Sequence, residues 1–150
     1  MRLSLFPVLV LFAFSASCDR PPAAPEAKVE AAWVSLPAVP GRPGAAYFTL
    51  SANHHPTRLV QVPSPRIERI ELHESGMHAG MMKMVPLRDV TLPERGSLEF
   101  APGSAHAMLF GLDSALRPGD TVPLTFAFEP APSVTVEAKV LGPGETPAGD

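Results

Sequence analysis

The 150-residue chain holds a single cysteine, Cys18. A lone thiol closes no internal disulfide. It also leaves no Cys₂His₂-type set for structural zinc, and no thiolate in the body of the chain for a blue-copper electron-transfer centre. Basic residues are few as well: 12 Lys and Arg stand against 15 Asp and Glu, for a net charge of −3 with histidines neutral. There is no basic patch, so nucleic acid is not an expected partner. No nucleophile has an evident general base beside it, which argues against an enzyme. Long helices are also missing from the pattern, because 19 prolines are scattered along the chain and each one interrupts helical hydrogen bonding.

The N-terminus is informative. Met1-Arg2 precedes the apolar run LSLFPVLVLFAF, which ends in Ser15-Ala16-Ser17. A positive start, an apolar core and a small-residue region together read as a secretory signal peptide over 1–17. The run is shorter than the about 20 apolar residues that span a bilayer. Cleavage before Cys18 removes Arg2 and takes the net charge from −3 to −4. Ser-Ala-Ser-Cys resembles a lipobox, which makes Cys18 a lipidation candidate and Asp19 similar to an inner-membrane retention residue. Ordinary cleavage with a free terminal thiol is the alternative. Residues 18–28, rich in Pro and Ala, read as an unpacked tether. The polar tail 142–150 is expected to be disordered.

Between tether and tail, short apolar-alternating runs are punctuated by turns, the pattern of an all-β domain over 29–141. Strands are expected at Val29–Leu36, Ala45–Ser51, Arg58–Val62 and Arg66–Glu74, then at Val90–Leu92, Ser97–Phe100 and Ala105–Leu112. On the fourth, Ile70 and Leu72 share one face while Arg69, Glu71 and His73 share the other. Pro93-Glu94-Arg95-Gly96 reads as a hairpin turn. Two closing strands alternate clearly, with Val122, Leu124, Phe126 and Phe128 inward on one and Val134, Val136, Ala138 and Val140 on the other. This adds up to an antiparallel two-sheet sandwich with Greek-key connections. His54-His55, in the turn NHHPT, reads as solvated rather than ligating.

Residues 71–109 carry the chemistry. Five of the six methionines and three of the five histidines fall there. One spacing stands out: His73, ten residues, Met84, twenty-one residues, His106, one residue, Met108. His106 and Met108, two apart, project from the same side of one strand. Thioether sulfur is soft and uncharged and favours Cu(I) over harder divalent ions. Two neutral imidazoles and two thioethers make a Cu(I) centre with a net charge of +1, and a set of four leaves no open position for catalysis.

The pattern H-x10-M-x21-H-x-M resembles the signature of the periplasmic copper chaperones called PCu(A)C. VPGRPGAAYFTL (39–50), IERIELHE (67–74), GMMKM…P (80–86), PGSAHAMLFGL (102–112) and TVPLTFAFE (121–129) are similar to that family's flanking segments, so the resemblance runs over about 29–141. It implies a cupredoxin-like β-sandwich or barrel and a periplasmic Cu(I) metallochaperone, and a monomer is expected. It also implies delivery towards the copper centres of cytochrome c oxidase, with an oxidase subunit or a SCO-like protein as acceptor. Storage or scavenging of copper, and a non-metal envelope binding module, stay open beside it. Met77, His78, Met81 and Met82, in the stretch GMHAGMM, are secondary candidates for a weaker copper-capturing shell in a loop beside the site. The alternative is a mobile loop whose methionines cover the site's apolar rim.

Overall fold

The computed structural model describes residues 26–148. The signal peptide, Cys18, Asp19 and most of the expected tether lie outside the described residues. Alternation of apolar and polar side chains resolves into ten strands: β1 (Ala27–Ser35), β2 (Gly44–Ala52), β3 (Thr57–Gln61), β4 (Ile67–His78), β5 (Met81–Pro86), β6 (Val90–Leu92), β7 (Ser97–Phe100), β8 (Ala105–Leu112), β9 (Thr121–Glu129) and β10 (Val134–Leu141). All regular structure among these residues is strand, so the all-β expectation holds. No helix here is long and apolar enough to cross a membrane.

The strands hydrogen-bond in the order β5-β4-β8-β7-β2-β1-β10-β9-β3-β6, with β2 also pairing to β8. Most lateral neighbours are distant in the chain. The open sheet folds over so that its two halves face one another, as three phenylalanines demonstrate. β2 and β9 stand three places apart in the order, about 14 Å at the usual strand spacing. Yet the rings of Phe48 on β2 and Phe126 on β9 lie edge to face with centroids 4.7 Å apart. Phe100 on β7 stacks on Phe48 at 4.5 Å. Such contacts need two layers of strand facing one another across an apolar interior. Val34, Leu50, Leu109, Val122, Leu124 and Val140 complete its fully buried centre.

Four details depart from the sequence expectation. Pairing is antiparallel except between β1 and β10, and at the single parallel pair Phe100↔Ala105 that joins β7 to β8. The domain begins before residue 29, since Ala27 is buried and pairs with Ala52. Pro93–Gly96 does not close a hairpin, because β6 pairs with β3 whereas β7 pairs with β2, so the turn carries the chain from one edge of the sheet into its middle. Lastly, β4 runs through Gly76 to His78 rather than stopping near Glu74. Glycine weakens a strand without forbidding it, and here β5 pairs along the whole extension.

Candidate metal centre

The extension of β4 builds the site. At the tip of the β4–β5 hairpin, Ala79 and Gly80 take φ values of 51° and 79°. Positive φ at both central residues of a two-residue loop is the type I′ turn, whose twist matches that of paired strands. GMHAGMM is therefore a regular ribbon and not the loop expected from its glycines. Register follows from the turn: His78↔Met81, Met77↔Met82, Ser75↔Met84 and His73↔Pro86. Pro86 has no N–H, and counting alternate pairs from the turn places it at a position that needs none.

On its other side β4 pairs with β8, setting His73 opposite His106 and Glu71 opposite Met108. His73 thus stands on the middle of three adjacent strands. His106 is its direct neighbour across one ladder, and Met108 lies on the diagonal two residues further on. Met84 lies on the diagonal across the other ladder, two residues before Pro86. Diagonal partners are about 7–8 Å apart, within reach of a methionine side chain. The four residues picked out by spacing in the sequence therefore share one face, with Met84, His106 and Met108 around His73. The gap of ten residues in the motif is the length of a hairpin.

Burial grades across this face. His106 is 9 % exposed and Met84 is 52 % exposed. The two imidazoles differ in orientation as well. His106 Nδ1–H donates to the Ser104 carbonyl at 3.0 Å, which leaves its Nε2 lone pair free. His73 Nε2–H donates to Glu71 Oε2 at 3.2 Å, and its Nδ1 is buried with no hydrogen-bond partner. An unpartnered buried nitrogen is costly unless something else satisfies it. A soft cation is one group that can supply that partner. Glu71 is held in turn by Arg69 at 3.3 Å, and the Arg69 guanidinium lies 4.3 Å over the Phe110 ring. A carboxylate behind a ligating histidine fixes its tautomer and raises its basicity. Glu71 had not been singled out from sequence, although its place two residues before His73 puts it on the same strand face.

Beside His106 and Met108 a shallow depression of about 260 Å³ is bordered by Pro43, Gly44, Ala45 and Tyr47. Burial raises the Tyr47 phenol above its ordinary range, and the ring packs on Trp33 with centroids 4.4 Å apart. Among the described residues, no three His, Cys, Asp or Glu side chains converge as a metal-binding group. A site on this face with three or more protein ligands would draw on the thioethers. The secondary candidates divide by strand alternation. Met77 and Met82 fall on the face of His73 and Met84, whereas His78 and Met81 point the opposite way. His54 and His55 lie apart from this face and cluster on Glu26, whose Oε2 is 3.2 Å from His55 Nδ1 and accepts the His54 backbone N–H.

The LpqE-like family profile matches residues 27–140, three quarters of the chain. The chain belongs to the LpqE-like family. A curated relative of this LpqE-like protein, an uncharacterized protein of Rickettsia prowazekii (strain Madrid E), is 34% identical over 99 residues, covering 64% of this chain and 54% of the relative. The chain thus spans about half the length of that relative. Among solved structures, the copper-bound PCuAC domain from PmoF2 superposes with a TM-score of 0.66 at 24% identity, covering 79% of this chain and 94% of that one. That likeness speaks for the fold. Apo-DR1885 from Deinococcus radiodurans aligns at 27% identity and TM-score 0.60 over 96% of this chain and 99% of that chain. The CuI form of DR1885 aligns at 34% identity and TM-score 0.53 over 75% and 78%. The PCu(A)C resemblance and the cupredoxin-like fold it implied both hold.

Proposed function

We propose that this protein is an extracytoplasmic metallochaperone that binds one Cu(I) through His73, Met84, His106 and Met108 and passes it to an acceptor protein. The observation that carries the reading is the gathering of Met84, His106 and Met108 around His73 on one face of β5, β4 and β8. The solved relatives support it, since one is a CuI form and another a copper-bound domain. Two neutral nitrogens and two thioethers hold Cu(I) without a thiolate. A carrier of this kind places no cysteine among its metal ligands, so they cannot be lost to a disulfide in an oxidising compartment.

The half-exposed Met84 favours transfer over storage, because an incoming donor can displace an exposed ligand while the ion stays held by the other three. The acceptor in this reading is a copper-centre protein of cytochrome c oxidase assembly, either an oxidase subunit or a SCO-like protein. Export by the 1–17 signal and anchoring through Cys18 would place the site on the outer side of the inner membrane. The test is an anaerobic Cu(I) titration against a competing chelator, comparing the protein with its Met84→Ala/Met108→Ala double variant. One tightly held equivalent, lost in the variant, is the expected result. An absence of stoichiometric binding in the unmodified protein would overturn the reading.

A further inference from the structure

Methionine is ordinarily a gap-filler in apolar cores, yet the β4–β5 hairpin holds four of them in the open. Met77 is 65% exposed, Met81 71%, Met82 69% and Met84 52%. Packing does not account for such a ribbon, because its tip extends past the buried side chains of the sandwich. Leu72 is the last residue of β4 packed against the core.

Register distinguishes the four. Met77 and Met82 are direct cross-strand partners. Counting from the turn, with Pro86 as a check, theirs is a non-hydrogen-bonded pair, the kind in which Cα atoms approach to about 4.5 Å and side chains lie closest. Met84 follows Met82 by two residues on the same face and is diagonal to Met77. Three thioethers therefore form a triangle that adjoins the His73 face and shares Met84 with it. Met81 and His78 are paired with each other on the reverse face.

We propose that Met77, Met82 and Met84 form a second, thioether-only Cu(I) site at the hairpin tip, where the ion is captured before Met84 carries it to His73, His106 and Met108. The inference rests on the reading of the chain as a Cu(I) carrier. Soft, neutral sulfur donors suit Cu(I) and discriminate against the harder divalent ions outside the cytoplasm. Without an imidazole the tip site is the weaker of the two, so exchange through the shared ligand runs inward. No electron or proton moves in this step: the Met77 and Met82 contacts to copper are released as contacts to His73, His106 and Met108 form, while Met84 stays bound throughout.

The experiment is a titration of the purified full chain, carrying ¹³C-methyl-labelled methionine, with Ag(I) as an oxidation-resistant d¹⁰ stand-in for Cu(I). The first equivalent should move the Met84 and Met108 methyls. The second should move Met77 and Met82, shift the shared Met84 again, and leave Met81 in place. Met77→Leu/Met82→Leu, which keeps the apolar ribbon, should bind one equivalent in place of two and take up Cu(I) from a chelator roughly ten-fold more slowly. If Met84 and Met108 respond while Met77 and Met82 do not, the tip site is refuted and the carrier reading stands. A Met81 shift equal to that of Met77 would refute the face-selective site, and silence from all five methyls between residues 77 and 108 would refute carrier and tip site together.

Discussion

His73 and His106 face each other directly across the β4–β8 ladder, with ring centroids 6.2 Å apart and planes inclined by 29°. A metal–nitrogen bond of about 2.0–2.1 Å places a shared ion about 3.2 Å from each ring centre, so a separation of about 5–6.4 Å suits an ion held between them. That separation leaves room for one ion between the rings, and the hydrogen bonds to Glu71 and Ser104 leave His73 Nδ1 and His106 Nε2 as the nitrogens open to it.

Glu71→Gln tests that orientation. The amide keeps the shape but loses the charge that holds His73 Nε2–H, and loss of such an outer partner ordinarily weakens metal affinity by about 10–100-fold. The expected outcome is a fall in Cu(I) affinity near the low end of that range, measured by chelator competition. Nitrogen NMR of His73 should show a mixture of tautomers where the unmodified protein shows one. Unchanged affinity with an unchanged tautomer would leave Glu71 without a role at the site.

The hairpin turn offers a second test. Ala79 sits at φ 51°, a conformation that asparagine and glycine adopt far more readily than alanine. Ala79→Asn should stabilise the hairpin by about 0.5–1 kcal/mol, and Gly80→Ala, at φ 79° with open space around it, should destabilise it by about 1–2 kcal/mol. Amide hydrogen exchange across β5 reads both changes. Equal exchange in all three proteins would show that the turn does not govern the ribbon.

A third prediction concerns pH. The Ala115 backbone N–H, followed by the Arg66 guanidinium, holds the Asp113 carboxyl below its ordinary value. A carboxyl depressed in the folded state contributes stability that is present above its unfolded pKa, about 3.9, and is lost as pH falls through the lower folded value. Asp113→Asn should therefore lower the melting temperature at about pH 7, and the gap from the unmodified protein should close towards about pH 3. A gap that persists undiminished at the acid end would trace the effect to something other than this charge.

Much of this arrangement was legible in the chain itself. Strict alternation marked β2 and β9, because one face of each is buried and a period of two is the direct imprint of that. His106 and Met108, two apart, could only share a side. What the sequence concealed were the features set by pairing partners. Gly76 and Gly80 read as breaks, yet only Gly80 lies in the turn, since a glycine inside a strand is tolerated when a neighbour supplies the ladder. The hairpin signal at Pro93–Gly96 misled for the converse reason: a turn fixes a change of direction, while β6 and β7 find their apolar partners on different strands. The division of the tip methionines between two faces depended on the extent of β4, and so appeared only with the register.

β5 is the last strand of the sheet order, and among the described residues it has a strand partner on one side only. Met84 belongs to this outermost strand, whereas His106 is buried on β8 with β4 alongside it. Edge strands peel before interior ones. An ion gripped by all four side chains would clasp the margin of the sheet shut, and its departure would have an order of undoing: the sulfur on the margin lets go first and the buried imidazole last. The lifetime of the loaded protein would then be set as much by how often that margin frays as by the strength of any one bond to the metal.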